Sequence, residues 1–238
     1  MNVEVEVCVD HRIGDFFLQH IKDAQKQVWI MSPWLSPYFI DLVLAKKAAG
    51  VDVRVLTSND YVSGQKEALG KLIERQIRVL KPENKILKYI GIAATVIGLI
   101  VAIYGKGEYL FLSFVGVALY FGGRERTEVY WISKLGEGNL TVFEYHPYKL
   151  IHAKVYIADD WVMMGSANFT RNGLENSIEA MMNTKSEELA GSMTQTIGNL
   201  ARNLNLKEIS YNAVGSSVSL VEKKKSYYRR RYGSRRSF

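Results

Sequence analysis

The chain has 238 residues, 47% hydrophobic and 23% charged, a balance that fills a core and excludes wholesale disorder. A single cysteine, Cys8, excludes an intramolecular disulfide and fits a reducing compartment. The net charge of +7 is smaller than the eight cations of the last sixteen residues, so the remainder is near neutral and need not be a basic nucleic-acid platform.

Val3, Val5, Val7 and Val9 alternate with Glu4, Glu6 and Cys8, which predicts a half-buried strand and leaves no apolar stretch for a cleavable signal peptide. Ile13, Phe16, Phe17, Ile21 and Ala24 follow at helical spacing. Val28–Met31 reads as a short buried strand ended by Ser32-Pro33. A second helix carries Phe39, Leu42 and Val43 and stops at Gly50. Val51–Leu56 reads as a strand, and a helix with Leu69, Leu72 and Ile73 leads into Ile77–Leu80. Alternating strands and helices with short joints predict an α/β fold, a largely parallel sheet flanked by helices.

The pattern breaks at Tyr89–Tyr104 and Tyr109–Gly123, two uncharged runs joined by residues 105–108. Each spans roughly 22–24 Å as a helix, and Ile86 and Leu87 lengthen the first. Lys81, Lys85 and Lys88 precede the pair, and Arg124 and Arg126 follow it. These flanks predict a membrane hairpin over residues 86–123 with the body and both termini cytoplasmic. Tyrosines at the run ends suit the interface, and Gly91, Ala93, Ala94, Gly98, Gly116 and Ala118 allow close helix contact. The competing readings are two buried core helices and an oligomerisation hairpin in water.

Leu140–Tyr145, His152–Ile157, Val162–Met164 and Ile178–Met182 read as strands. A helix with Leu189, Met193, Ile197, Leu200 and Leu204 follows, and from about Gly215 the composition predicts a disordered basic tail. The predicted organisation is therefore 1–84 and 125–210 as two parts of one domain, 85–124 as the inserted hairpin and 211–238 as the tail.

The chemistry concentrates in Ile151–Thr170, IHAKVYIADDWVMMGSANFT, which holds His152-x-Lys154, Asp159 and Gly165-Ser166-x-Asn168. On a strand, His152 and Lys154 would share a face. An imidazole can attack phosphorus without a metal, and an ammonium with hydroxyl and amide donors can hold the non-bridging oxygens. His20-Ile-Lys22 repeats only the His-x-Lys part and lies on the first amphipathic helix, where no catalytic role is expected. No metal-ligand spacing occurs, so no metal or cofactor is expected.

The full string resembles the HKD signature of the phospholipase D superfamily. VWIMSPWLS at 28–36 and GVDVRVLTSND at 50–60 are similar to the family's strand-plus-loop openings. The resemblance implies a phospholipase D-like fold, a mixed, largely parallel sheet flanked by helices, over roughly 1–82 and 127–205, with His152 as nucleophile and Lys154 as phosphate ligand. It further implies Ser166 and Asn168 as donors, Glu179 bonded to the second nitrogen of His152, and structural roles for Asp159 and Gly165. Five residues separate Asp159 from Gly165, where the family usually has six. The family site joins two motifs and this chain has one, so the resemblance implies a homodimer with paired His152 and Lys154 and a bell-shaped pH profile.

The motif leaves the substrate open. Short single-motif relatives resemble nucleases of DNA or RNA, and the tail KKKSYYRRRYGSRRSF can neutralise phosphates and stack on bases. The alternatives are phospholipase D-type hydrolysis of lipids such as cardiolipin, with the tail on anionic headgroups, and a non-catalytic membrane adaptor. Trp34 reads equally as pocket lining and as core.

Overall fold

A computed structural model describes residues 4–232 apart from 63, 106, 147–150 and 204–205. Val3 of the first predicted strand, Lys106 of the predicted hairpin turn, Leu204 of the last predicted core helix, and Arg235 and Arg236 of the tail lie outside the described residues. The chain divides into two compact units, one of Met1–Glu74 with Trp131–Phe238 and one of Arg75–Tyr130.

The larger unit carries a seven-stranded sheet. In chain order its elements are β1 (Glu6–Asp10), α1 (Ile13–Asp23), β2 (Gln27–Met31), α2 (Pro37–Ala48), β3 (Asp52–Ser58) and α3 (Gln65–Leu72). The chain leaves along β4 (Ile73–Lys81), passes through α4 (Lys85–Tyr104) and α5 (Leu110–Gly122), and returns along β5 (Arg126–Ser133). It closes with β6 (Leu140–Phe143), β7 (Val155–Ala158), β8 (Trp161–Gly165), β9 (Glu179–Lys185), α6 (Glu187–Asn203) and α7 (Tyr211–Tyr232).

The sheet order is β1-β9-β8-β7-β2-β3-β6. The mixed α/β class agrees with the sequence reading, but the sheet is not largely parallel. Among the described residues only β2-β3 and β3-β6 pair in parallel; β2-β7, β7-β8, β8-β9 and β1-β9 are antiparallel. The second half of the chain folds back by a tight turn at Asp159–Asp160 rather than through a crossover helix, and a tight turn joins only antiparallel strands.

Burial on both faces explains the apolar runs. Along β2, Val28 and Ile30 enter one core while Trp29 and Met31 enter the other; Tyr156 and Ile157 divide likewise on β7. The first core takes Phe17 and Ile21 of α1, Phe39 and Val43 of α2, Leu69 and Leu72 of α3, and Val214 and Val218 of α7. The second takes Ala190 and Ile197 of α6. Ser36 caps α2 with Pro37 at its first turn, and Gly50, at φ +86°, ends it as expected.

Two expectations are corrected. The valines of β1 do not face the core: Val7 is 68% exposed, and Cys8 packs on the first core instead. β1 is an edge strand paired only to β9, and α1 packs on the Cys8 side. The stretch predicted as a disordered tail is helical over Tyr211–Tyr232. Its first turns bury Val214 and Val218, and Gly215 lets the helix approach Trp131, since a Cβ there would lie 2.3 Å from the indole. Two buried valines at helical spacing anchor what composition alone marks as polar.

In the smaller unit β4 and β5 form a two-stranded ribbon, and α4 and α5 pack as a hairpin. α4 contains Ile86 and Leu87 and has 20 residues, about 30 Å of helix, and is the one described helix long and apolar enough to cross a membrane. α5, of 13 residues, is shorter. The helices meet at glycines: a Cβ on Gly91 would lie 2.5 Å from the Tyr120 nitrogen, and one on Gly116 2.4 Å from the Thr95 nitrogen. The Ser113 hydroxyl donates to the Thr95 carbonyl at 3.1 Å. The large side chains point outward, with Ile86 74% and Phe111 72% exposed. This excludes the reading of α4 and α5 as buried core helices.

Candidate active site

The site forms where three antiparallel strands end together. Val155 of β7 pairs with Met164 of β8, and Gly165 pairs with Met181 of β9, so Lys154, Gly165 and Met181 lie in a row across the sheet. Gly165 is forced by this crossing, because a Cβ there would fall 2.0 Å from the Ala180 oxygen. Gly165 and Ser166 donate their backbone N–H groups to the Lys154 and Ala180 carbonyls at 3.3 and 2.9 Å.

The strand β7 begins only at Val155, so His152 and Lys154 precede it rather than alternate within it. They meet through a local fold of the loop. The Lys154 ammonium donates to the His152 carbonyl at 2.7 Å and lies 3.1 Å from each ring nitrogen of the same residue. Its reach differs from what strand alternation predicts, but the two side chains share one place. The imidazole is exposed and Lys154 is 5% exposed. Burial lowers the Lys154 pKa below its ordinary value of 10.5, and the Glu179 carboxylate partly offsets this.

Glu179 does not take the partner expected of it. Its carboxylate accepts from the Ser166 hydroxyl, and among the described residues no hydrogen bond joins it to His152. Ser166 also accepts from the Ala180 N–H at 3.0 Å. Glu179 therefore reaches Lys154 through its charge, while its hydrogen bond goes to Ser166. Asn168 has a buried side-chain amide oxygen without a partner among the described residues, the kind of unsatisfied acceptor that costs about 1–3 kcal/mol.

Asp159 sits at the other end of β7, about 16 Å of strand from Lys154. It occupies φ +54°, and its carboxylate accepts from the backbone N–H groups of Gln25, Lys26 and Gln27 at 2.8, 2.7 and 3.0 Å. Burial opposes its ionisation, but these donors outweigh burial and hold its carboxyl below the usual 3.8. The five-residue spacing to Gly165 is thus accommodated by a turn tied to β2. His20 lies at this same end of the strand and away from Lys154: its ring stacks on that of Trp161 at 3.9 Å.

Residues 59–68 and the loop after β2 carry more of the site than their sequence suggests. Phe169 donates its N–H to the Ser32 hydroxyl at 3.0 Å, and Ser36 donates its N–H to the Phe169 carbonyl at 2.9 Å, so the loop is stitched to the Gly-Ser-x-Asn segment. The fully buried Gln65 accepts from the Leu35 N–H at 2.6 Å and donates to the Ser58 carbonyl at 2.6 Å. Trp34 is half-buried, and its ring stands edge-on to His152 at 6.2 Å. The available signal was a glutamine opening an otherwise ordinary amphipathic helix, which pattern alone does not separate from a surface residue.

A family model described as "Cardiolipin synthase, PLD-like domain" matches residues 17–201. Among solved structures, Nuc of Salmonella typhimurium, a phospholipase D family member, is 15% identical over 88% of this chain and 99% of its own, with a TM-score of 0.49. NucT from Helicobacter pylori is 15% identical over 87% and 100%, at 0.44. The phosphatidylserine synthase of Haemophilus influenzae Rd KW20 is 11% identical over 96% and 46%, at 0.49. No curated protein sequence matches. The sequence match covers most of the chain, and the mixed sheet presents the His-x-Lys to Gly-Ser-x-Asn string at one edge of its central hairpin, so the chain belongs to the phospholipase D superfamily and is a phosphodiesterase.

Proposed function

We propose that the protein is a membrane-anchored, homodimeric nuclease that works through a covalent phosphohistidine on His152. A ring nitrogen of His152 attacks phosphorus, and the bond to the leaving oxygen breaks as that oxygen takes a proton from the His152 imidazolium of a second copy. That imidazole, now neutral, removes a proton from water; the hydroxide attacks phosphorus and frees the first His152. Lys154 offsets charge on the non-bridging oxygens throughout, and Ser166 and Asn168 of the same motif are its further donors. The observation that carries this reading is the exposed imidazole held against a buried ammonium at 3.1 Å.

A second copy supplies the acid that one chain lacks. The surface beside the site supports such pairing: Val7, Ala153, Val155, Met164 and Met182 line a shallow, largely apolar depression around Lys154. The outward apolar faces of α4 and α5, joined through glycines, support insertion in a bilayer, where no water needs excluding from them. The cations flanking the hairpin support a cytoplasmic body. Basic and tyrosine residues at 223–232 favour a polyanionic strand as substrate. A second reading, hydrolysis of an anionic phospholipid such as cardiolipin, is favoured by the apolar hairpin, by a basic tail that can equally hold anionic headgroups and by the description of the matching family model.

The test is a side-by-side assay of purified protein on single-stranded DNA, duplex DNA, RNA and cardiolipin vesicles, with His152→Ala as control. Cleavage of a nucleic acid, lost in the control together with a trapped phosphohistidine, is expected. Turnover of cardiolipin alone would replace the first reading with the second, and no turnover or trapped intermediate on any substrate would indicate an adaptor. Mixed dimers of wild-type and His152→Ala subunits should be unable to hydrolyse the strand.

A further inference from the structure

The loop after β2 brings an aromatic side chain to the edge of the imidazole, and the loop after β3 ties a second one to it. The Trp34 ring stands 6.2 Å from the His152 ring at an interplanar angle of 85°. Its indole N–H donates to one oxygen of Asp60 at 2.8 Å, and the other oxygen of Asp60 accepts from the Tyr61 N–H at 2.5 Å. Asp60 itself is only 7% exposed. One buried carboxylate thus fixes both the indole and the backbone that carries Tyr61. The Ser32 hydroxyl donates to the Trp34 carbonyl at 2.8 Å, which holds the same loop from beneath.

Tyr61 is 80% exposed, and the Lys66 ammonium lies 4.6 Å from its ring. Lys66 also donates to the Asn59 side chain. An indole beside the imidazole is therefore tied through Asp60 to an exposed phenol, whose ring is backed by a buried cation. A nucleobase is tied to its phosphate through one sugar, so a phosphate at His152 places the adjoining base within reach of this edge. A glycerol headgroup has no π-face to offer it. Bases in a duplex are already stacked on each other, whereas unpaired bases are free to turn onto a side chain. Anchoring the indole in advance removes part of the ordering cost of such a contact.

We infer that Trp34 and Tyr61 form a nucleobase-stacking platform beside the catalytic imidazole, which selects single-stranded nucleic acid. This rests on the nuclease reading of the same site and names its substrate class.

The experiment measures binding by full-length His152→Ala protein of a fluorescein-labelled single-stranded oligothymidylate and of an abasic strand of equal length. The thymidylate should bind about tenfold to a hundredfold more tightly than the abasic strand. Adding Trp34→Ala should erase most of that difference, Trp34→Phe should keep part of it, and Tyr61→Leu should reduce it by a smaller factor. Equal affinities for the two strands would overturn the inference. So would a preference for bases that survives Trp34→Ala and Tyr61→Leu, or Trp34-dependent binding of cardiolipin vesicles without discrimination between strands. If Trp34→Ala does not fold, Trp34→Phe and the exposed Tyr61→Leu decide. Cleavage of the thymidylate by wild-type protein is read separately. Discriminating binding without cleavage would sink the nuclease reading and leave the platform; cleavage without discrimination would sink the platform alone.

Discussion

Replacing Asp159 by Ala tests whether the carboxylate of the signature acts on the fold or on the chemistry. The change removes the acceptor for three backbone N–H groups, of Gln25, Lys26 and Gln27, and puts a Cβ without a polar group at φ +54°. Gln25 and Lys26 are exposed, so water replaces much of their loss; Gln27 is part-buried and loses more. With about 0.5–1.5 kcal/mol for each hydrogen bond and about 1 kcal/mol for the left-handed backbone, the total is about 3 kcal/mol. For a body of this size that lowers Tm by roughly 6–12 °C. Asp159→Gly relieves the backbone strain but not the lost acceptors, and should recover about 1 kcal/mol of the deficit. The folded-state pKa of Asp159 is depressed, so its contribution is present above the unfolded-state value and is lost as pH falls through the folded-state value. The Tm difference between wild type and Asp159→Ala should therefore shrink in strong acid. Melting followed by circular dichroism, with turnover measured on the folded protein, checks this. A Tm that does not move, or a kcat that collapses while Tm holds, would refute the structural role and contradict the 16 Å or so of strand between Asp159 and Lys154.

The remaining predictions concern the site. An alkaline loss of activity should attach to Lys154, beginning below the ordinary lysine value of 10.5 because burial disfavours its charge. Glu179→Gln removes the charge that partly offsets burial, so this loss should move to lower pH; Lys154→Arg should remove it from the accessible range, and a pH–rate profile unchanged in both would refute the assignment. Gly165→Ala sets a Cβ against the Ala180 oxygen, which backbone cannot yield without parting β8 from β9. It should cost about 3 kcal/mol or more and appear as a lower Tm or loss of soluble protein. Prolonged chelation should leave turnover intact; a full loss reversed by a divalent ion would show that the imidazole does not work alone.

Much of this protein was legible along the chain. The alternation of short apolar runs with amphipathic helices predicted the α/β class, since period 2 and period 3.6 are local properties. His152, Lys154, Gly165, Ser166 and Asn168 were singled out because one short string carries them all. The apolar hairpin declared itself by composition, since two long uncharged runs have few solutions. Strand direction was not legible: a turn at Asp159 and a crossover helix look alike in periodicity, yet one yields an antiparallel pair and the other a parallel one. Nor was the outward face of β1, because alternation says that one face is buried but not which.

The tertiary structure alone decided what each motif residue touches. Glu179 met Ser166 because β8 and β9 pair in a register that sets them side by side, and register is a property of two strands together. Trp34 reached His152, and Asp60 reached Trp34, across separations of many residues that no local pattern encodes. α7 became a helix of the core because Val214, Gly215 and Val218 find α3 and Trp131, whereas the polar composition around them predicts a tail. Composition and spacing act between neighbours in the chain, and determined the elements and the chemistry of the motif. Packing acts between residues far apart in the chain, and determined which face, which partner and which carboxylate.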